Sequence, residues 1–250
     1  MPTYTINCGS RILELGRRTL IMGTVNVTPD SFSDGGHFFS QDRAVAQAMQ
    51  LAEEGADILD IGGESTRPFS NPVSESEELD RVLPVIANLA NQVAVPISID
   101  TTKASVAQQA VAAGATMIND VSALRMDPEM AATAARCRVP LILMHMKGTP
   151  KTMQVDPVYD DLTTDIMTFL SDAIDRAVAA GVARSAIIID PGIGFGKTIQ
   201  HNLQIIRRLD RFHDLKAPLL VGPSRKMFIR QLLKHPDEKD IDPLSVEVAR

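Results

Sequence analysis

The sequence predicts an α/β fold, a (β/α)8 barrel with seven of its eight strands evident, and three observations carry that expectation. Short, almost wholly apolar runs alternate with stretches patterned for helices. Each run stops on a polar side chain able to hydrogen-bond or do chemistry. The length of 250 residues is that of one such barrel, so residues 1–250 are expected to form a single domain.

The runs are TLIMGTVN, ending at Asn26; ADILDIGGES, with Asp60 and Glu64; VPISID, ending at Asp100; ATMIND, with Asn119 and Asp120; VPLILMH, ending at His145; SAIIID, ending at Asp190; and PLLVGPSRK, with Ser224 and Lys226. Continuous Val, Ile and Leu mark parallel strands buried on both faces. Polar residues at every strand end favour a barrel over a doubly wound sheet, which gathers its site at one switch point.

The helices follow in order. DRAVAQAMQLAEEGA places Val45, Ala48, Met49 and Ala52 on one face, with Asp42 as its N-cap and Gly55 at its C-terminal turn. Ser74 and Glu77 make an S-x-x-E capping box ahead of Leu79, Val82, Leu83, Ile86 and Leu89, and Pro84 inside that helix implies a kink. KASVAQQAVAAGA ends at Gly114, and DPEMAATAARC starts at a proline suited to a first helical turn. A long link, MKGTPKTMQVDPVYDD, precedes a helix with Leu162, Ile166, Phe169, Leu170, Ala173 and Ile174 inward. Long loops beside strand ends commonly carry function. The sixth unit runs through PGIGFGKT into a helix with Leu203, Ile206 and Leu209; the seventh runs from PLLVG into KMFIRQLLKH. The closing DPLSVEVAR reads as the start of one more helix.

Composition excludes several classes. A net charge of -6 offers no basic field for nucleic acid. No uncharged apolar stretch reaches the roughly 18 residues of a membrane span and no leader pattern opens the chain, so a cytoplasmic protein is expected. Cys8 and Cys137 form no framework and are expected to be reduced.

Of the five histidines only His145 ends a strand, while His37, His201, His213 and His235 lack ligand spacing, which argues against a zinc centre and makes His145 a partly buried hydrogen-bonding residue. PGIGFGKT fits neither a Walker A loop, because Pro191 stands where the first glycine belongs, nor G-x-G-x-x-G. It reads as a loop whose glycines permit tight turns or close approach to a ligand. What remains is a rim of carboxylates and amides, Asn26, Asp100, Asn119 and Asp190. A buried carboxylate facing the amino and ring N–H groups of a 2-amino-4-oxo-pyrimidine makes a bidentate, charge-assisted pair. STRP (Ser65 to Pro68) and SRK (Ser224 to Lys226) add hydroxyls and cations suited to an anion such as a phosphate.

These residues resemble a known family. IMGTVNVTPDSFSDGG from Ile21, DIGGESTRP from Asp60, SIDT from Ser98, INDV from Ile118, MHMKGTPKTMQ from Met144, IIDPGIGFGK from Ile188 and GPSRK from Gly222 together resemble the dihydropteroate synthases of folate biosynthesis. The resemblance implies a transferase that condenses 6-hydroxymethyl-7,8-dihydropterin diphosphate with 4-aminobenzoate, working as a homodimer with Mg2+ and serving as a sulfonamide target. By position it implies that Asp100, Asn119 and Asp190 contact the pterin ring and that Lys226 touches both pterin and aminobenzoate pockets. It assigns Asn26 to Mg2+ and the diphosphate, Thr66 and Arg67 to the diphosphate loop, and Pro68, Phe195 and Ser224 to the aminobenzoate pocket. Asp100, Lys226 and Arg67 are the residues expected to act in the reaction, and loops bearing Asp34 and Arg67 to close over it. The family's last strand carries an Arg-x-His pair, and this chain stops before it, so a truncated form of an active enzyme with two unpaired sheet edges is expected. Two alternatives stand beside this: a non-catalytic or degenerate pterin-binding protein, and a methyltetrahydrofolate-dependent methyltransferase barrel.

Overall fold

The computed structural model describes residues 2–28, 37–67 and 70–232, the backbone alone for 37–40. A hairpin of β1 (Tyr4–Cys8) and β2 (Arg11–Leu15) comes first. Six strands follow: β3 (Met22–Asn26), β4 (Ile58–Gly62), β5 (Ile97–Asp100), β6 (Met117–Asp120), β7 (Leu141–Met144) and β8 (Ile187–Asp190). They pair in parallel, in chain order. The helices are α1 (His37–Glu53), α2 (Glu75–Leu89), α3 (Ala104–Ala112), α4 (Met130–Cys137), α5 (Leu162–Ala179), α6 (Ile199–Arg207) and α7 (Met227–Leu232). Strand-by-strand winding with a helix after each strand is the α/β barrel arrangement that the sequence implies. Leu219 of the seventh run bridges to Ile189, held by Ile189 N–H to Pro218 O (3.0 Å) and Leu220 N–H to Ile189 O (2.8 Å). Pro218 and Pro223 bracket this run and shorten its ladder, since proline donates no bond.

Period two sorts each strand between two environments. Val25, Leu59, Ile61, Ile97, Ile99, Ile118, Leu141, Leu143, Ile187 and Ile189 face the helices and form the main core with Val82, Ile86, Leu89, Ile166 and Leu170. The alternate residues face the other way. At the strands' N-terminal ends these are Ile58, Met117, Ile142 and Ile188, which pack with Ile6, Cys8 and Leu13 of the hairpin. The hairpin thus plugs one mouth of the sheet, and Arg11 fastens it by donating to the carbonyls of Val95 and Val93. Strand reading missed this element, though alternation in TYTINC and RILEL around the two-residue turn Gly9–Ser10 was its signal.

Helix ends agree in part with expectation. Ser74 caps α2 by accepting from Glu77 N–H at 3.2 Å, but the Glu77 carboxylate pairs with Arg81 instead of reaching back, so half the capping box forms. Asp42 lies inside α1, which starts at His37, and Pro128 lies ahead of α4, whose N-cap is Glu129. Thr198 and His201 form a full capping box on α6 that the sequence reading passed over. The closing DPLSVEVAR lies outside the described residues. None of the described helices is long and apolar enough to cross a membrane.

Because Ile6 is only 1% exposed within the plug, Ile6→Ala should destabilise the chain by about 2–4 kcal/mol in urea unfolding, the range for an unfilled aliphatic cavity. A loss well under 1 kcal/mol would mean the hairpin packs loosely.

Candidate active site

The parallel register builds the site before any loop is considered. Asn26 lies opposite Gly62, Gly62 opposite Asp100, and Asp100 opposite Asn119, so one lateral row crosses four strands on the inner face. Gly62 leaves that row open: a Cβ there would sit 3.5 Å from an Asp100 oxygen and 3.8 Å from the Asn26 amide oxygen. Asp190 joins from the end of β8, opposite Met144. Four of the rim residues expected from sequence therefore share one bowl.

Beneath the row lies a carboxylate that the rim reading set aside. Asp60, two residues before Gly62, accepts a 3.1 Å bond from the Asn119 amide and so orients it. Its other oxygen and the hydroxyl of its ladder neighbour Ser98 lack partners of good geometry among the described residues. Burial raises the Asp60 carboxyl to about 6, tempered by Ser98 and Asn119. Burial likewise raises Asp190 to about 6, although its carboxylate accepts from Gly192 N–H at 2.6 Å and faces Lys226 and Lys197. Asp100 is pushed well above the usual range by burial, then by Asp60, Glu78 and Asp120, with Lys226 opposing. Three carboxyls thus occupy the inner face with few internal donors, which leaves them ready for donors from a ligand.

Lys226 supplies the balancing charge. Burial lowers its pKa against the pull of Asp190 and Asp100, and its ammonium lies 4.0 Å from the centre of the Phe195 ring. Phe195 belongs to an apolar cluster with Val121, Met144, Met146 and Met153, a polarisable wall suited to a flat ring. The glycines of PGIGFGKT have left-handed φ angles of 70°, 83° and 67° at positions 192, 194 and 196, and the loop brings Gly194 against the Lys226 stem. The loop acts by close approach to the strand ends, as its glycines implied.

The loops place the remaining residues less uniformly. Thr66 lines a cleft of about 280 Å3 together with Asp100, Glu64, Thr101 and Lys151. Arg67 is exposed, its backbone N–H donating to the Ser65 hydroxyl at 3.4 Å, and Ser224 is exposed in the turn before Lys226. Pro68 and Asp34 lie outside the described residues. Asn26 is exposed on β3, which pairs on one side only among the described residues.

His145 corrects the simple picture of a polar rim. Period two turns Met144 inward with Ile142 and sends His145 behind the sheet, where its ring packs nearly perpendicular to that of Phe169 with centroids 4.7 Å apart. Its Nδ1 lies 2.9 Å from the buried Lys197 ammonium, which also donates to Phe195 O at 2.9 Å. Burial and then Lys197 depress the His145 pKa to about 2, while burial lowers Lys197 to about 7. His145 is a buried hydrogen-bonding residue, and no group of three His, Cys, Asp or Glu able to hold a metal exists among the described residues. Asp120 also faces away, its carboxylate accepting from Ser122 and Leu124 N–H groups at 2.8 and 2.7 Å.

A parallel barrel with an acid-lined bowl at its strand C-termini defines an enzyme that grips a small nitrogen-rich ligand at that face. A model of the family of pterin binding enzymes matches residues 22–249. The dihydropteroate synthase of Synechocystis sp. is 49% identical over 232 residues, 93% of this chain and 80% of that protein. Among solved structures, the Xanthomonas albilineans dihydropteroate synthase with 4-aminobenzoic acid superposes with a TM-score of 0.92 at 46% identity, covering 99% of this chain and 88% of that one. The same enzyme in complex with 7,8-dihydropteroate gives 0.88 at 45% identity, covering 98% and 87%. The chain belongs to the pterin binding enzymes and, among them, to the dihydropteroate synthases.

The raised pKa of Asp60 carries a stability consequence. Its folded pKa of about 6 exceeds the ordinary 3.8, so the folded state keeps a proton that the unfolded chain releases, and stability falls as pH rises between those values. Asp60→Asn escapes that loss and should raise ligand-free stability by roughly 2 kcal/mol at pH 7.5, less than the ~3 kcal/mol that a two-unit shift represents. Urea unfolding should show the gain vanishing by about pH 4; a gain independent of pH would contradict it.

Proposed function

We propose that this chain condenses 6-hydroxymethyl-7,8-dihydropterin diphosphate with 4-aminobenzoate to give 7,8-dihydropteroate and pyrophosphate. The observation that carries the reading is the bowl of buried Asn119 and Asp190 and half-buried Asp100, short of internal donors and balanced by Lys226. The Asp190 carboxylate takes the ring's amino and N–H donors, and Asn119, held by Asp60, presents its amide oxygen to the same edge. Met144 and Phe195 cover the ring's faces. The bond between the exocyclic CH2 and the diphosphate oxygen breaks, the electron pair leaving with the diphosphate. The positive charge left on the pterin is stabilised by Asp100. The aniline nitrogen of 4-aminobenzoate then bonds to the CH2 carbon and loses its proton. No protein nucleophile is required.

The aminobenzoate lies between Phe195, Lys226, Pro68 and Ser224, and sulfonamide-type mimics compete for that pocket. Thr66 and Arg67 hold the diphosphate. The Asn26 amide oxygen, exposed at the end of β3 beside Gly62, is a hard donor that would suit Mg2+, and a bound ion would supply charge neutralisation for the leaving diphosphate. The reading extends to a single domain, a homodimer joined through outer helices that leaves the bowl open, and a cytoplasmic setting, which the free Cys8 and Cys137 suit.

Formation of dihydropteroate and pyrophosphate, each dependent on both substrates, tests the reaction; pterin binding without either product would favour a non-catalytic protein, and methyl transfer from methyltetrahydrofolate the methyltransferase. Asp190→Asn should weaken pterin binding by about a hundredfold in calorimetry, the loss expected when a buried charge-assisted pair goes. Unchanged affinity would refute the ring-gripping role. Because binding needs the Asp190 carboxylate, pterin affinity should fall as pH drops through about 6, and a flat profile from pH 8 to 5 would count against it.

A further inference from the structure

One ammonium joins three elements around the diphosphate loop. Lys103 lies three residues beyond Asp100 and is the N-cap residue of α3. Its Nζ donates to carboxylate oxygens of both Glu64 and Glu78. Glu64 lies two residues beyond β4, two before Thr66 and three before Arg67. Glu78 belongs to α2, its side chain wholly buried and its second oxygen without a partner among the described residues. Burial works against the Lys103 charge, yet the bonds to Glu64 and Glu78 outweigh it and raise its pKa.

The same stem is clamped from the other side. Arg81 of α2 donates to Gly63 O at 2.7 Å, and a Cβ at Gly63 would lie 2.8 Å from Val82 and 3.0 Å from Glu78, so only glycine lets the stem lie this close to α2. Beyond Glu64, the internal bonds among described residues are local: Ser70 Oγ to Ser65 O at 2.5 Å, Ser70 N–H to Arg67 O at 3.1 Å, and Arg67 N–H to Ser65 Oγ at 3.4 Å. Among the described residues, the Lys103 tether is thus the last long-range side-chain anchor before Thr66 and Arg67.

We propose that Lys103 is a positioning residue that, through Glu64 and Glu78, sets the distance between the diphosphate loop of Thr66 and Arg67 and the ring site at Asp100. The inference rests on the proposed function for the identity of the ligands. Lys103 does not line the cleft that Thr66 shares with Asp100, so its expected effect is on the loop and not on the ring pocket.

The test compares two ligands on the full chain, the pterin diphosphate and 6-hydroxymethylpterin lacking the diphosphate. Glu64→Ala leaves the buried Lys103–Glu78 pair intact and is expected to fold normally, which guards against Lys103→Met failing to fold. Both variants should bind the diphosphate form about tenfold more weakly while keeping the bare pterin within about twofold, since a displaced loop harms only the group it holds. Lys103→Arg should recover most of the loss. Equal losses for both ligands would reduce Lys103 to a general structural role and overturn the proposal, as would no loss for either. If the wild-type chain itself binds the diphosphate form no better than bare pterin, the functional reading fails instead. In that case amide exchange at residues 64–67 of the ligand-free chain still decides: faster exchange in Glu64→Ala and Lys103→Met supports the tether, and unchanged exchange overturns it.

Discussion

Carboxyl groups taken out of water with too few donors around them set the terms for this molecule. Asp60, Asp100 and Asp190 all lie on the inner face of the parallel sheet, and burial is the leading cause of every one of their raised pKa values. A chain tolerates that arrangement only if the rest of the fold holds it rigidly. The outer face does so, with an unbroken layer of Ile, Leu and Val against the helices, and the hairpin closes the opposite mouth with Ile6, Cys8 and Leu13. Stability is lost locally where the ligand is to be bound, and the core makes it up elsewhere.

The single ammonium of Lys226 explains why the bowl is poised and not collapsed. It attracts Asp190 and Asp100 without forming an ion pair with either, and lies instead over the Phe195 ring. A second ammonium, Lys197, is kept behind the sheet by His145 and the Phe195 carbonyl, and so fixes the loop that carries Phe195. The Lys103 ammonium plays the matching part on the β4 side. Each of the three cations ties down a different segment near the strand ends, and the division follows from which carboxylates, carbonyls and rings each can reach.

The sequence made the main architecture legible because parallel strands leave a strong local signal. Apolar runs marked every strand of the large sheet, and polar ends marked Asn26, Asp100, Asn119 and Asp190. The hairpin escaped because its alternation is half-buried and short. His145 ends an apolar run yet is expected as a partly buried hydrogen-bonding residue, and strict alternation from Ile142 shows why, since it turns Met144 and not His145 inward. Asp60 was visible but interior to its run, and only the register showed that it supports Asn119. Contacts such as Lys103 with Glu64, 39 residues apart, leave no periodic trace at all. They arise from which strand ends the winding brings together, so they become readable only once the register is known.

The claim on which the account rests is that the bowl's carboxyls are desolvated and await donors from a ligand. The most direct measurement is a carboxyl 13C NMR titration of Asp190, ligand-free and with the pterin bound. The expected midpoint is near 6 in the free chain, with a clear downward shift in the complex, as ring N–H groups stabilise the charged form. A free-chain midpoint in the ordinary carboxylate range, unmoved by the pterin, would contradict it.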